Sequence, residues 1–307
     1  MKKKIYIAGA GGMLGEAFYQ VFKEDYNLKL TDKVVNEEWI SKLDFRNKEL
    51  YFEDVSNFDP DFIFHLGAHT SLEYCESNIE DAYLTNTLSV ENATNISNNL
   101  KIPILYISTA GIFDGSQDTY DDWSLPNPLG VYARSKYMGE LFVKENAYRY
   151  LICRAGWMMG GGHKKDKKFV NKLLTQLNNG KRELFVVDDK MGTPTYTIDF
   201  ARNVELLISK EYWGLYNMVC KGVTSRFEVA TSMLDILNLK EKISITAVSS
   251  TYFSKEYFAP RPLSERLLTK KLDYRNSNIM RPWKIALEEY LANNFEDYKL
   301  NIISSLK

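Results

Sequence analysis

Apolar residues in the first half of the chain fall in short, nearly unbroken runs, separated by longer amphipathic stretches. The runs are KIYIAGA at 4–10, NLKLTD at 27–32, DFIFHLGA at 61–68, PILYIST at 103–109 and YLICRAG at 150–156. Continuous apolar character marks strands covered on both faces, as in a parallel sheet. The stretches around 13–24, 47–57, 80–99 and 131–149 read as helices. Strand and helix in alternation predict an α/β fold, a Rossmann-like, doubly wound parallel sheet.

Beyond residue 156 the alternation loosens. A helix near 167–179 and a short strand LFVVDD at 184–189 precede a helix at 197–209, and GLYNMV at 214–219 reads as a last strand of the sheet. The aromatic-rich remainder, including YFAPRPLSERL, reads as a smaller α+β C-terminal lobe. The expected division is a domain of residues 1–156 with 197–219 added to its sheet, and a lobe built from 157–196 and 220–307.

Composition narrows the function. The 307 residues carry a net charge of −1, which argues against a nucleic-acid partner. Cys75, Cys153 and Cys220 lie far apart with no CxxC pair, so neither a disulfide framework nor a zinc site is expected. His65 and His69 flank a strand end, where packed histidines are commoner than ligand pairs, and no metal is expected. Glycines and Glu16 interrupt the apolar start, and no 18-residue apolar stretch exists, so no membrane association is expected. A reducing cytoplasm fits these features.

The first strand runs into Gly9, Gly12 and Gly15, with Met13 and Leu14 opening the following helix. Glycines let the backbone approach a pyrophosphate, and a helix N-terminus offers unpaired N–H groups to it. The spacing is GxxGxxG rather than the commoner GxGxxG. Asp32 ends the second strand 20 positions after Gly12, where a carboxylate accepts from the adenosine ribose or caps a turn. A carboxylate there favours NAD(H) over a 2′-phosphate, and Lys33 partly offsets it, so NADP(H) and NAD(H) both stay open. Residues 1–156 thus read as a dinucleotide-binding domain.

Tyr132 and Lys136, in NPLGVYARSKYMGE, lie four apart on one helix face, about 5–6 Å between Cβ atoms. Lowering a phenol by about 3 pKa units requires roughly 4 kcal/mol of extra phenolate stabilisation. A nearby ammonium in a desolvated cleft is the right kind of group to supply it. Coupled to a glycine turn, the pair reads as an acid and its tuning partner.

Together with the Ser-Thr pair ending LYIST, these motifs resemble the extended short-chain dehydrogenase/reductases, and within them the dTDP-4-dehydrorhamnose reductase family. AHTSLEYCES (68–77), TNTLSVENA (85–93), IFDG (112–115), CRAGWMMGGG (153–162), DDKMGTPTY (188–196) and RPLSERL (261–267) follow that family's order. The resemblance implies a triad of Thr109, Tyr132 and Lys136, in which Tyr132 protonates a C4 ketone of a nucleoside-diphosphate deoxysugar as hydride arrives. It also implies Asp44 and Phe45 beside the adenine, with Leu66, Gly67 and Ala68 lining the cofactor. Ala110, Trp157, Thr193 and Arg261 fall in segments facing the sugar nucleotide. A homodimer is a further expectation from the fold.

The family usually reads Thr-Asp-Tyr-Val-Phe where this chain has TAGIF, so Ala110 and Gly111 replace an acid and an aromatic. That weighs against a 4,6-dehydratase, which needs acids there, and against a GDP-fucose-synthase-like enzyme, which needs a cysteine. Ala133 stands for the usual glycine after the tyrosine. In GGGHKKDKKF (160–169), Lys164 and Lys165 read as either a solvated face or a diphosphate clamp. Alternative functions are a sugar-nucleotide C4 epimerase with tightly bound NAD, and a non-catalytic regulatory subunit like that of methionine adenosyltransferase.

Overall fold

The computed structural model describes residues 1–304. Seven strands form one wholly parallel sheet: β1 (Lys4–Ala8), β2 (Asn27–Asp32), β3 (Ile40–Lys42), β4 (Phe62–His65), β5 (Ile104–Thr109), β6 (Tyr150–Ala155) and, at one edge, Gly214–Asn217. Their order in space is Gly214–Asn217, β6, β5, β4, β1, β2, β3. The direction of winding reverses between β1 and β4, where doubly wound sheets open a ligand crevice at the carboxyl ends of their strands.

Two apolar layers cover the sheet, and alternate strand residues feed each. Ile5, Ile7, Phe62, Phe64, Leu105 and Ile107 join Phe18, Phe22, Phe200 and Val204 on one face. Tyr6, Ile63, Ile104, Tyr106 and Ile152 join Tyr51, Val55, Val90 and Val143 on the other. This period of two, with both sides apolar, is the physical content of the unbroken runs in the sequence.

The expected elements appear with three departures. β3 is only three residues long, too short to show a pattern. The strand expected at 184–189 runs Glu183–Val187 and lies outside the main sheet, paired with Ser244–Val248. The helix expected over 80–99 is broken into Ile79–Tyr83, a π-helical turn Leu84–Leu88 and Ser89–Leu100.

The C-terminal half adds two small sheets beside the strand ends. Pro194–Tyr196 pairs with Trp157–Met159, and Thr224–Ser225, Met191–Gly192 and Ser264–Glu265 form a three-stranded patch. These patches bring residues 157, 192 and 265 together. Among the described residues no helix is long and apolar enough to cross a membrane, and no cluster of metal-ligating side chains exists.

Candidate active site

The glycine turn and the end of β4 meet backbone to backbone. Gly9 has φ +78°, and a Cβ there would lie 2.3 Å from the Gly67 Cα, so neither position tolerates a larger residue unchanged. A Cβ on Gly15 would lie 1.9 Å from the Ala10 carbonyl oxygen. Gly12 differs, because a Cβ there would meet no protein atom within 4 Å. Its open side is the one from which an anion can reach the N–H groups at the helix start. Met13 is half-buried and Leu14 packs into the core, so the side chains flanking the turn hold the helix in place.

Asp32 sits at the end of β2 with both carboxylate oxygens engaged by backbone: Oδ2 accepts from Gly11 N–H at 2.9 Å and Oδ1 from Val34 N–H at 3.0 Å. It therefore caps the phosphate turn itself. Asn36 adds a hydrogen bond from Nδ2 to the Gly11 carbonyl at 2.9 Å. Phe45 turns inward, its ring against Gly67 and edge-on to His65 at 4.9 Å. The Asp44 carboxylate is held by Arg46, which keeps its pKa below the ordinary range. Leu66 and Ala68 are half-buried at the end of β4, with Leu66 N–H donating to the Ala8 carbonyl. His65 is buried between Tyr51 and Ser89, and burial followed by the neighbouring Lys136 pushes it down to about 3, so it stays neutral.

Tyr132 and Lys136 ride on the helix Val131–Asn146 beside β5. Gly130 offers that helix no side-chain cap, and Glu76 supplies one by accepting from Val131 N–H at 2.7 Å. From the π turn, buried Asn86 donates to Ser135 Oγ at 3.0 Å and to the His69 carbonyl at 3.1 Å. Thr87 donates to the Ser135 carbonyl at 2.8 Å, and Tyr106 donates to that of Lys136 at 2.7 Å. These buried polar contacts fix the helix against the strand ends. None of them is legible from helix periodicity, although a π turn often marks a functional site.

Thr109, the last residue of β5, has its hydroxyl near the Tyr132 phenol and favours the phenolate. Burial nonetheless pushes the phenol up to about 12, Thr109 opposing, with Cys75 and Glu265 adding to the rise. Lys136 is buried and pushed down to about 7 by loss of solvent, with Glu140 pulling the other way. Its Nζ has no hydrogen-bond partner among the described residues and lies 4.3 Å from the Tyr106 ring centroid. The simple expectation that the ammonium makes the phenol acidic is thus corrected for the unliganded protein. Burial disfavours the phenolate and the ammonium alike. A buried ammonium without an acceptor among the described residues fits ribose hydroxyls, and the glycine turn open at Gly12 fits the pyrophosphate of a dinucleotide.

The four substrate-side residues separate. Trp157 lies in the cleft, donating from Nε1 to Glu265 Oε2 at 2.7 Å. Ala110 is buried in a cluster with Ile112, Phe113 and Tyr120, and Gly111 faces the cleft in its place. Thr193 is buried, its hydroxyl accepting from Leu267 N–H at 3.1 Å, so it braces the 264–267 segment and does not reach a ligand. Arg261 pairs with Glu73 at 2.7 Å and donates to the Ala259 carbonyl at 3.0 Å, so its guanidinium is already engaged by protein groups. Lys165 is buried between Glu16 at 2.6 Å and Glu37 at 3.0 Å, and Lys164 is exposed, so the Lys164–Lys165 clamp does not form.

Two other cations stand out near Trp157 and Phe169. The Arg226 guanidinium lies 3.8 Å from the Trp157 ring centroid and 4.9 Å from that of Phe169, without an ion pair or hydrogen bond among the described residues. Burial lowers it to about 10, with Glu265 opposing and Arg261 adding to the fall. The Lys168 ammonium donates to Thr70 alone among the described residues, at 3.0 Å and 3.1 Å, while its backbone N–H donates to Asp166 Oδ1 at 2.6 Å; burial, with Lys172, Arg226 and Arg261, lowers the ammonium to about 8 against Asp166. The Ser225–Glu228 capping box made Arg226 readable as a helix start, but its charge environment has no local sequence signal.

The family model described as RmlD substrate binding domain matches residues 2–295. The chain is 30% identical over 292 residues to the spore coat polysaccharide biosynthesis protein SpsK of Bacillus subtilis, covering 94% of this chain and 96% of that protein. It is 28% identical over 263 residues to the dTDP-4-dehydrorhamnose reductase of Escherichia coli K12, covering 82% and 86%. A solved dTDP-4-dehydrorhamnose reductase from Bacillus anthracis, in complex with NADP, superposes with TM-score 0.84 at 30% identity over 95% of this chain and 99% of that one. With the glycine turn after β1 and the Thr109–Tyr132 pair and Lys136 beside the end of β5, this chain belongs to the dTDP-4-dehydrorhamnose reductase family.

Proposed function

We propose that this protein reduces the C4 ketone of a nucleoside-diphospho-deoxysugar, using NADP(H) or NAD(H), in surface-polysaccharide or deoxysugar synthesis. The observation that carries the reading is the Tyr132 phenol beside Thr109 at the end of β5, with the unpartnered Lys136 one helical turn away. A bound reduced nicotinamide supplies the hydride. Thr109 holds the ketone oxygen, and Tyr132, fully protonated in the free protein, donates the proton as alkoxide charge develops. Lys136 donates to ribose hydroxyls and, once charged, stabilises the phenolate left behind. Gly9, Gly12 and Gly15 hold the pyrophosphate against the helix start, and Asp32 keeps that turn in shape. Arg226 and Lys168 hold the substrate diphosphate, a dianion that relieves their mutual repulsion. Residues 157–196 and 220–304 form the substrate lobe in this reading.

The test is NADPH or NADH oxidation with a panel of nucleoside-diphospho-4-keto sugars. Tyr132→Phe is expected to lower kcat by about 100-fold or more while leaving the cofactor Kd unchanged. Retained turnover in that variant removes the acid role. Arg226→Ala is expected to raise the KM for the sugar nucleotide by about 10-fold or more with a smaller change in kcat, because a charged hydrogen bond is worth about 1.5–3 kcal/mol. An unchanged KM rules out the diphosphate contact.

A further inference from the structure

The three-stranded patch that carries Ser264–Glu265 delivers a carboxylate to the centre of the cleft. Glu265 Oε2 is fixed by the Trp157 indole at 2.7 Å, whereas Oε1 has no hydrogen-bond partner among the described residues. That free oxygen faces Gly111. A Cβ built on Gly111 would lie 3.5 Å from Glu265 Oε1 and also 3.5 Å from Thr109 Oγ1. Glu265 and the hydroxyl beside Tyr132 therefore border the same small space, which exists because residue 111 has no side chain. Gly111 N–H already donates to Thr109 Oγ1 at 3.1 Å, so this backbone leaves the carboxylate without a donor.

A half-buried carboxylate oxygen with no protein donor is open to a donor that a ligand supplies, and a hydrogen bond to that charge is stronger than a neutral one. With the ketone oxygen at Thr109 and Tyr132, the substituent that reaches across this space is on a ring carbon flanking C4. In a 6-deoxysugar C5 carries a methyl group, so the donor is on C3. We propose that Glu265 is a specificity-determining residue, whose Oε1 accepts a hydrogen bond from the 3-hydroxyl or 3-amino group of the 4-keto sugar. The same charge rejects sugars bearing a carboxylate there. This inference rests on the proposed reductase reading. Trp157 and the Ser264–Glu265 strand hold the carboxylate in place before substrate arrives, which limits the ordering cost on binding.

The experiment compares wild type with Glu265→Gln on paired nucleoside-diphospho-4-keto sugars that retain or lack the 3-hydroxyl. Gln keeps an oxygen for the Trp157 indole and removes the charge. Wild type is expected to prefer the hydroxylated member by about 10- to 100-fold in kcat/KM, and Glu265→Gln to lose most of that preference, consistent with a charged hydrogen bond. Tryptophan emission and the NADPH Kd should stay at wild-type values in the variant, which a purely structural role would shift. Equal preference in both proteins overturns the proposal. So does a loss of activity in Glu265→Ala that Glu265→Gln fully restores on both sugars, since that assigns Glu265 to holding Trp157 alone. Wild type inactive on every 4-keto sugar nucleotide defeats the reductase reading itself, a result distinct from an unselective but active wild type.

Discussion

Lys136 meets two opposed demands: it is buried beside Tyr106 and neutral His65, yet the role proposed for it calls for an ammonium. Burial lowers it to about 7 in the free protein, so at pH 8 most molecules carry it uncharged. A pyrophosphate and ribose acceptors favour the charged form, so cofactor binding should take up a proton. Uptake approaching one proton near pH 8 is expected from NADPH calorimetry in buffers of different ionisation enthalpy, and Lys136→Met should abolish it while leaving weaker, measurable binding. No uptake in the wild type would show that the lysine is charged throughout. The sign for folding is the reverse of a salt-bridged lysine. The folded value lies below the ordinary lysine value of 10.5, so the folded state binds fewer protons between about 7 and 10.5, and this group's contribution to stability rises with pH across that window.

The strand–turn–helix element from β1 through Met13–Phe22 was legible because glycine spacing follows local geometry, and the structure assigns its glycines different work. Gly15→Ala drives a Cβ into the Ala10 carbonyl, a backbone atom that cannot swing aside, and should cost about 1–3 kcal/mol or more. Gly12→Ala meets no protein atom and should change stability by less than about 1 kcal/mol, while blocking the pyrophosphate. Thermal melts paired with NADPH titration separate the two; a Gly12→Ala protein that binds cofactor normally would place the phosphate elsewhere. The π turn at Leu84–Leu88 was not legible as a break. Its cause is a set of contacts from Asn86 and Thr87 to a helix some 50 positions later, |i−j| being 49 and 48.

Across the whole molecule, the C-terminal segment is locked to the sheet by Arg281, whose guanidinium forks onto buried Asp199 at 2.7–3.0 Å and reaches Glu289 at 2.5 Å. Asp199 lies on the helix Thr197–Ser209 that packs against Met13–Phe22, and Glu289 on Trp283–Asn294. Arg281→Met should destabilise by about 3–5 kcal/mol, because it strands a buried carboxylate, and Asp199→Asn added to it should restore part of the loss. An unchanged melting temperature in Arg281→Met would show that Arg202, 3.9 Å from Asp199, suffices as its partner. The sequence by itself determined the main-sheet strands other than β3, the glycine turn and the Tyr132–Lys136 spacing, since each is written in residues close along the chain. Tertiary structure alone decided that Thr193 is buried, that Arg261 answers Glu73 while the Arg226 and Lys168 side chains have no carboxylate ion pair among the described residues, and that Trp157 meets Glu265 across 108 positions. The physical reason is that periodicity reports which face of an element is apolar, whereas ion pairing, desolvation and the acidity of a phenol depend on groups that only folding brings near.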